Sequence, residues 1–385
     1  MTKIIKDFSL SSFVAGLIVI LVGMTSSAVL VFQAAQASGA SIEQASSWLG
    51  ALCIGMGLLG LIFSWQSRSP VLFAWSTPGA ALIIAGAKDF TLNQMIGSFL
   101  LSAFLIFLSG ITGVFEKVMK KIPISLCSAL LAGVLLHFSI DTFTKISSQP
   151  ILLTNMLLTF IICKKWLPRY VMLFVVLVGM AVAFSMNLLH FNEIKFELTH
   201  FEFFRPEFNL LNLLSIGIPL FVVTMASQNL TGLSVMMNYN YRPQTSRLMA
   251  SSGAINMISA VFGGFSINLA AITAAIAMSP ESHPDSKKRY IAGMVSSVGY
   301  IIIGLFAGIV TSLFAAFPTE MIVAISGLAL ISTILSSLDK ALENKTDREA
   351  AFMTFLMAAS GFSLFGVGSA FWAIVLGLLV RKLFH

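Results

Sequence analysis

The sequence predicts an all-α polytopic membrane protein of fourteen transmembrane segments, arranged as a seven-plus-seven inverted repeat. Three observations predict it. Of the 385 residues, 57% are hydrophobic and 10% charged, with a mean hydropathy of +0.93, against about 25% charged in soluble chains. All 23 Lys and Arg fall at segment ends or in loops, and with a cytoplasmic N-terminus only Lys88, Lys145, Lys195 and Arg205 lie outside, as the positive-inside rule requires. Two apolar segments, the third and the tenth, are broken in the way that marks a transporter's binding site.

The segments run, in order, over residues 10–36, 46–66, 70–87, 92–116, 122–142, 150–164, 168–188, 208–237, 244–263, 266–279, 288–316, 319–339, 348–365 and 368–384. The first imitates a signal peptide, with Lys3, Lys6, an apolar run and Ala35-Gln36-Ala37. Its run from Phe8 to Ala35 exceeds a signal core of about 7–15 residues, so it reads as an uncleaved span.

Segment three carries Ala74-Trp75-Ser76-Thr77-Pro78-Gly79-Ala80-Ala81-Leu82. Pro78 lacks the amide of a helix ladder and pushes Thr77 toward extended backbone. Hydroxyls followed by proline also mark a helix start. The reading is therefore extended chain over 70–77 and a half-helix over 78–87. Such backbone at membrane depth survives only inside protein or beside a wet cavity, and free amides at a helix start favour an anion. Segment ten repeats the pattern: Gly263-Gly264 precede Phe265-Ser266-Ile267-Asn268 and the apolar stretch Leu269–Ala277.

Seven segments precede the longest outside loop, 189–207, and seven follow it. An odd number makes the halves, 1–188 and 208–385, inverted relative to one another. Met24-Thr25-Ser26-Ser27 in segment one is echoed by Met225-Ala226-Ser227-Gln228 in segment eight.

All sixteen acids lie in loops or near segment ends. A cation carrier usually places a carboxylate at the bilayer centre, so amides and hydroxyls without one suit an anion. Phe73, Trp75 and Phe265 are candidate walls for a flat hydrocarbon body. Segment eight adds Thr224, Ser227, Gln228, Asn229 and Thr231, either a substrate clamp or bonds between helices. His137 is the one titratable group well inside a segment and the candidate proton relay. Glu281-Ser282-His283-Pro284-Asp285 reads as helix capping or a gate contact rather than a metal site. Cys53, Cys127 and Cys163 have no metal spacing and read as small buried hydrophobes. No cofactor, metal, nucleic-acid partner or enzyme activity is expected; the net charge of +7 follows from topology.

These stretches resemble the benzoate:proton symporter (BenE) family over nearly the whole chain. The resemblance rests on Ser26-Ser27 with Phe32-Gln33-Ala34-Ala35, the segment-three stretch, Ile111-Thr112-Gly113, and Pro219-Leu220-Phe221-Val222-Val223-Thr224-Met225-Ala226-Ser227-Gln228-Asn229. It continues through Ala270–Ile276, Ser279–Asp285 and Gly368-Ser369-Ala370-Phe371-Trp372. The family is similar to UraA-like nucleobase/ascorbate carriers, and the likeness implies a core domain from segments one to four and eight to eleven and a gate domain from the rest. It implies an importer of benzoate-like aromatic carboxylates in the bacterial inner membrane, with cytoplasmic termini and with protons and lipid as partners. It is compatible with a homodimer.

The carboxylate is expected against amides near Gly79, Ala80, Ala271 and Ile272, assisted by Ser76, Thr77, Ser227, Gln228 and Asn229, with Ser27, Trp75 and Asn268 completing the set. Nucleobase carriers resembling this fold place a coupling glutamate in segment eight, where this chain has Ser227-Gln228-Asn229. No coupling residue carries over, so either the substrate brings the proton or the carrier exchanges anions. The alternatives are an uncoupled exchanger or channel for small organic anions, and a non-transporting scaffold or enzyme.

Overall fold

A computed structural model describes residues 6–113, 123–189, 197–365 and 367–384. Lys3, Lys195, the end of segment four and the first residue of segment five lie outside these residues. Each of the fourteen apolar segments has its helix. In the first half these are α1 (Leu10–Ala37), α2 (Ile42–Ser67), α3 (Thr77–Gly86), α4 (Leu92–Ile111), α5 (Ile124–Thr144), α6 (Pro150–Trp166) and α7 (Val171–Ser185). In the second half α8 spans Leu210–Asn238, followed by α9 (Thr245–Ala260) and α10 (Ile272–Met278). α11 comprises Tyr290–Leu305 and Ala307–Ala315, and α12 (Thr319–Glu343), α13 (Arg348–Ala359) and α14 (Ser369–Phe384) complete the chain. Among the described residues, six of them are long and apolar enough to cross a membrane, and bent α11 makes seven.

Local chemistry sets the boundaries. α2 begins at Ile42, four residues before the apolar segment, because Ser41 and Gln44 close a capping box. Its polar first turn hides that start from a count of apolar residues. α4 begins at the same device, Thr91 with Gln94. α8 holds Pro219 and widens into π turns at Leu213–Gly217 and Thr224–Asn229. α11 bends by 66° at Phe306. There Thr199 intrudes: its N–H donates to Leu305 O and its hydroxyl accepts from Ala307 N–H, both at 2.8 Å. An inserted side chain that takes over ladder bonds is a sufficient cause of a kink. The stretch 197–207 is thus tied to the helices, since Glu202 N–H also donates to Ser47 Oγ at 3.1 Å and Phe204 N–H to Val261 O at 2.7 Å.

The all-α expectation needs one amendment. The extended stretches pair as an antiparallel ribbon, β1 (Phe73–Trp75) with β2 (Ile267–Leu269), in the register Phe73↔Leu269, Ala74↔Asn268 and Trp75↔Ile267. An open ribbon leaves edge groups that have no water to bind. Side chains from three helices take them up. Asn256 of α9 brackets Ile267, accepting from its N–H at 2.6 Å and donating to its carbonyl at 2.8 Å. Asn229 of α8 accepts from Leu269 N–H at 2.9 Å, and Ser64 of α2 accepts from Val71 N–H at 3.0 Å.

Around the ribbon, α2 lies along α11 and α4 along α9. The second pair is a close backbone contact: a Cβ on Gly253 would meet Phe107 N at 2.3 Å, and one on Gly110 would meet Ala250 N at 2.2 Å. A second group packs α5 against α12 and α13, α13 against α14, and α6 against α7.

Candidate functional site

Both broken segments meet at a buried hydroxyl junction. Ser76 caps α3, its Oγ accepting from Gly79 N–H at 3.0 Å, and its own N–H donates to Ser266 O at 3.0 Å. Thr224, in the second π turn of α8, reaches Ser76 Oγ at 3.3 Å and Ser266 Oγ at 3.1 Å. Asn268 fits here with its amide oxygen accepting from Ser76 N–H (3.1 Å) and its nitrogen donating to Leu269 O (3.2 Å).

Beside this junction lies a cavity of about 1200 Å³. Seven of the twelve residues expected to contact the substrate line it: Ser27, Trp75, Thr77, Ser227, Gln228, Ala271 and Ile272. Ser76, Gly79, Ala80, Asn229 and Asn268 do not; they form the buried layer behind it.

That division corrects the expected use of the amides. In α3 the Gly79 N–H is bound by Ser76 Oγ, Ala80 N–H by Ser76 O at 2.8 Å, and Pro78 has none. Ser76, which announces this helix start, takes up the Gly79 and Ala80 donors and leaves the Thr77 N–H without an acceptor among the described residues. α10 is different: no side chain caps it. Among the described residues the N–H groups of Ile272, Thr273 and Ala274 meet no acceptor, and Ala271, Ile272 and Thr273 face the cavity. Segment ten therefore brings the larger share of free amides to the cavity.

The aromatic walls need a similar correction. Phe265 is buried among Trp48 and Phe99, at centroid distances of 6.5 and 6.1 Å, and Phe73 packs on Phe63 at 6.2 Å. Trp75 alone of the three lines the cavity, its indole N–H donating to Ser27 Oγ at 2.9 Å. Tyr300 of α11, which sequence reading missed, stands edge-on to it at 6.3 Å and 79°. A tyrosine in the middle of an apolar segment was the available signal.

Segment eight splits between neighbours. Ser227 Oγ donates to Val223 O at 2.5 Å and Thr231 Oγ1 to Ser227 O at 2.8 Å, so their protons are held by the helix. Gln228 lines the cavity, and its amide bonds to no described residue. Among the described residues the charged groups of the cavity wall are Lys340, Glu343 and Asp347, which lie at its mouth with Pro123, Pro243 and Thr245. Asp347 is bound there by Arg381 Nε at 2.8 Å, Ser125 Oγ at 3.0 Å and Asn344 Nδ2 at 3.1 Å.

His137 is outside this cavity. It borders a second one, of about 380 Å³, with Lys88, Asp89 and Asp141, and its Nε2 lies 2.6 Å from Ala359 O. In the 281–285 stretch His283 and Asp285 serve a turn: Asp285 N–H donates to His283 Nδ1 at 2.9 Å and Lys287 N–H to Asp285 Oδ1 at 2.9 Å.

Residues 6–383 match the sequence profile of the family described as benzoate membrane transport protein, BenE. The inner membrane protein YdcO of Escherichia coli (strain K12) is 40% identical over 366 residues, covering 95% of this chain and 94% of the relative. The benzoate membrane transport protein of Acinetobacter baylyi (strain ATCC 33305 / BD413 / ADP1) is 33% identical over 383 residues, covering 98% and 97%. Among solved structures, the transmembrane domain of a cyanobacterium bicarbonate transporter, BicA, superposes with a TM-score of 0.58 at 15% identity, covering 97% of this chain and 96% of that one. SLC26A9 gives 0.65 at 14% identity, covering 99% of this chain and 66% of that one. At such identities the likeness is one of fold.

Proposed function

The chain belongs to the BenE family of benzoate membrane transport proteins, and from that premise we propose that this multi-pass membrane transporter imports benzoate or a related aromatic carboxylate across a bacterial inner membrane. The observation that carries the reading is the cavity itself. It is bordered by both broken segments and by α1 and α8, holds the unpartnered amide of Gln228, and faces the free N–H groups of α10. The carboxylate lies against the Ile272–Ala274 amides with Thr77, Ser227 and Gln228 beside it, and the ring lies toward Trp75. Neutral donors fixed in a low-dielectric site bind an anion without the cost of burying a countercharge.

Alternating access runs core against gate. α5 supports this with one face that passes both cavities: Ser125, Ser128 and Leu131 border the first, and Val134, Phe138 and Asp141 the second. The helix pairings support the inverted repeat. Replacing each element by its counterpart seven segments away turns α4 with α9 into α11 with α2 and exchanges β1 with β2. The mouth at Lys340 is cytoplasmic by the positive-inside rule, which makes this the inward-open form with both termini inside.

Proton symport is the coupling that the family implies. A specific observation favours the second reading, anion exchange: among the described residues, the cavity wall carries no carboxylate other than Glu343 and Asp347 at its mouth. Labelled benzoate uptake into proteoliposomes, with pH gradient and membrane potential set independently, tests both. Saturable uptake driven by an acidic exterior establishes symport. Trans-stimulation by internal anion without gradient response establishes exchange, and silence in both modes rejects benzoate.

A further inference from the structure

Among the described residues, two hydrogen bonds join the core to the gate, and both lie on the outside half. Ser326 Oγ of α12 donates to Gln33 Oε1, near the outer end of α1, at 2.7 Å. Gly368 N–H, just before α14, donates to Ser215 Oγ of α8 at 3.1 Å. On the inside half the same interface is parted by the cavity, with Ser234 of α8 on its core wall and Ser128 of α5 on its gate wall. Ser326 is 1% exposed, and its hydroxyl has a second acceptor, Ile322 O at 2.8 Å in its own helix. It can therefore release Gln33 without leaving a buried donor unsatisfied, which is the larger part of the cost of breaking such a bond.

The inverted repeat gives each partner a counterpart. The echo that matches residues 24–27 to 225–228 carries Gln33 onto Ser234. In the gate, Ser128-Ala129-Leu130 and Ser139-Ile140-Asp141 of α5 return at the same spacing as Ser326-Gly327-Leu328 and Ser337-Leu338-Asp339 of α12, which carries Ser326 onto Ser128. Ser234 Oγ donates to Leu230 O at 2.8 Å, the same fallback within its own helix that Ser326 has.

We propose that Ser326 and Gln33 form an outer latch holding the inward-open state, and that Ser128 and Ser234 form its counterpart, an inner latch made when the outside opens. The inference rests on the core-against-gate reading above and on no particular substrate. Ser326 and Ser234 keep a hydrogen bond whether latched or released, so the two states stay close in energy and a small bias moves the population between them.

The test places a reporter cysteine at Val134, which is 6% exposed on the α5 face bordering the second cavity and is uncovered when the outside opens. Labelling of Val134→Cys by a water-soluble maleimide is timed in the full-length chain in detergent, with the wild-type chain as the blank for its buried cysteines. Adding Gln33→Ala or Ser326→Ala should speed labelling by about threefold to tenfold, the equilibrium weight of one hydrogen bond. The two together should add nothing beyond either alone, because both remove the same bond. Multiplied effects would mean two separate packing losses and overturn the latch, as would rates that neither substitution changes. Ser234→Ala or Ser128→Ala should slow labelling by a similar factor, and rates unchanged or raised by both overturn the inner counterpart. If Val134→Cys resists the reagent in every variant yet reacts once unfolded in SDS, the outside does not open and the core-against-gate reading itself fails.

Discussion

Asn229 Oδ1 accepts from the N–H of Leu269 at 2.9 Å, so the helix that carries the polar cavity wall also holds the edge of the buried ribbon. Gln228, one residue earlier, turns its free amide into the cavity. Adjacent residues of like chemistry thus divide into support and contact.

Asn229→Ala should destabilise the fold by about 1–3 kcal/mol, because it leaves a buried backbone donor unpaired. The midpoint of thermal unfolding should fall, and amide exchange at Leu269 should accelerate. An unchanged midpoint would mean that the ribbon edge finds another acceptor.

Gln228→Ala should do the opposite. Its amide supports nothing in the protein, so stability should change by less than about 0.5 kcal/mol. Benzoate affinity should drop about tenfold with the loss of a hydrogen bond to a charged group. Wild-type affinity in this variant would take Gln228 out of the site.

Gly263→Ala should be poorly tolerated for reasons of both backbone conformation and packing. Its φ is +91°, and a Cβ there would sit 1.7 Å from Trp48 Cδ1. Conformational strain and overpacking together cost about 2–5 kcal/mol. Folded yield in detergent measures this, and a wild-type yield would show that Trp48 has room to retreat.

The Arg381–Asp347 pair at the cavity mouth should respond asymmetrically. The Asp347 side chain is 6% exposed and that of Arg381 41%. Arg381→Ala leaves a buried carboxylate held only by the neutral donors Ser125 and Asn344, a loss of about 1.5–3 kcal/mol. Asp347→Asn leaves a cation that solvent can reach and keeps a partner for Ser125 and Asn344, so it should cost less. Thermal unfolding of the two variants decides, and equal losses would contradict the burial argument.

Much of the architecture was readable in the chain because bilayer physics is local. A span must be long and apolar, and Pro78 with its flanking hydroxyls must interrupt one. α3 accordingly starts at Thr77, one residue from its expected start. The reading failed where a signal was polar and short, as at the capping box of α2. It also failed where one residue had two uses, as at Ser76, which marks a helix start and then occupies the Gly79 amide.

Fourteen apolar segments, their two breaks and the lack of a carboxylate at their centres are legible in the chain alone, since each follows from hydropathy, backbone chemistry and the placement of charge. Folding in three dimensions was needed to pair the breaks as a ribbon, to bring Asn256, Asn229 and Ser64 to the backbone of Ile267, Leu269 and Val71, and to give α10 more free amides than α3. It also brought Tyr300 over Gly23 and beside Trp75. The physical reason is that hydrogen-bond satisfaction in a water-poor interior is a contract between distant segments, and no periodicity within one segment records which partner lies across from it.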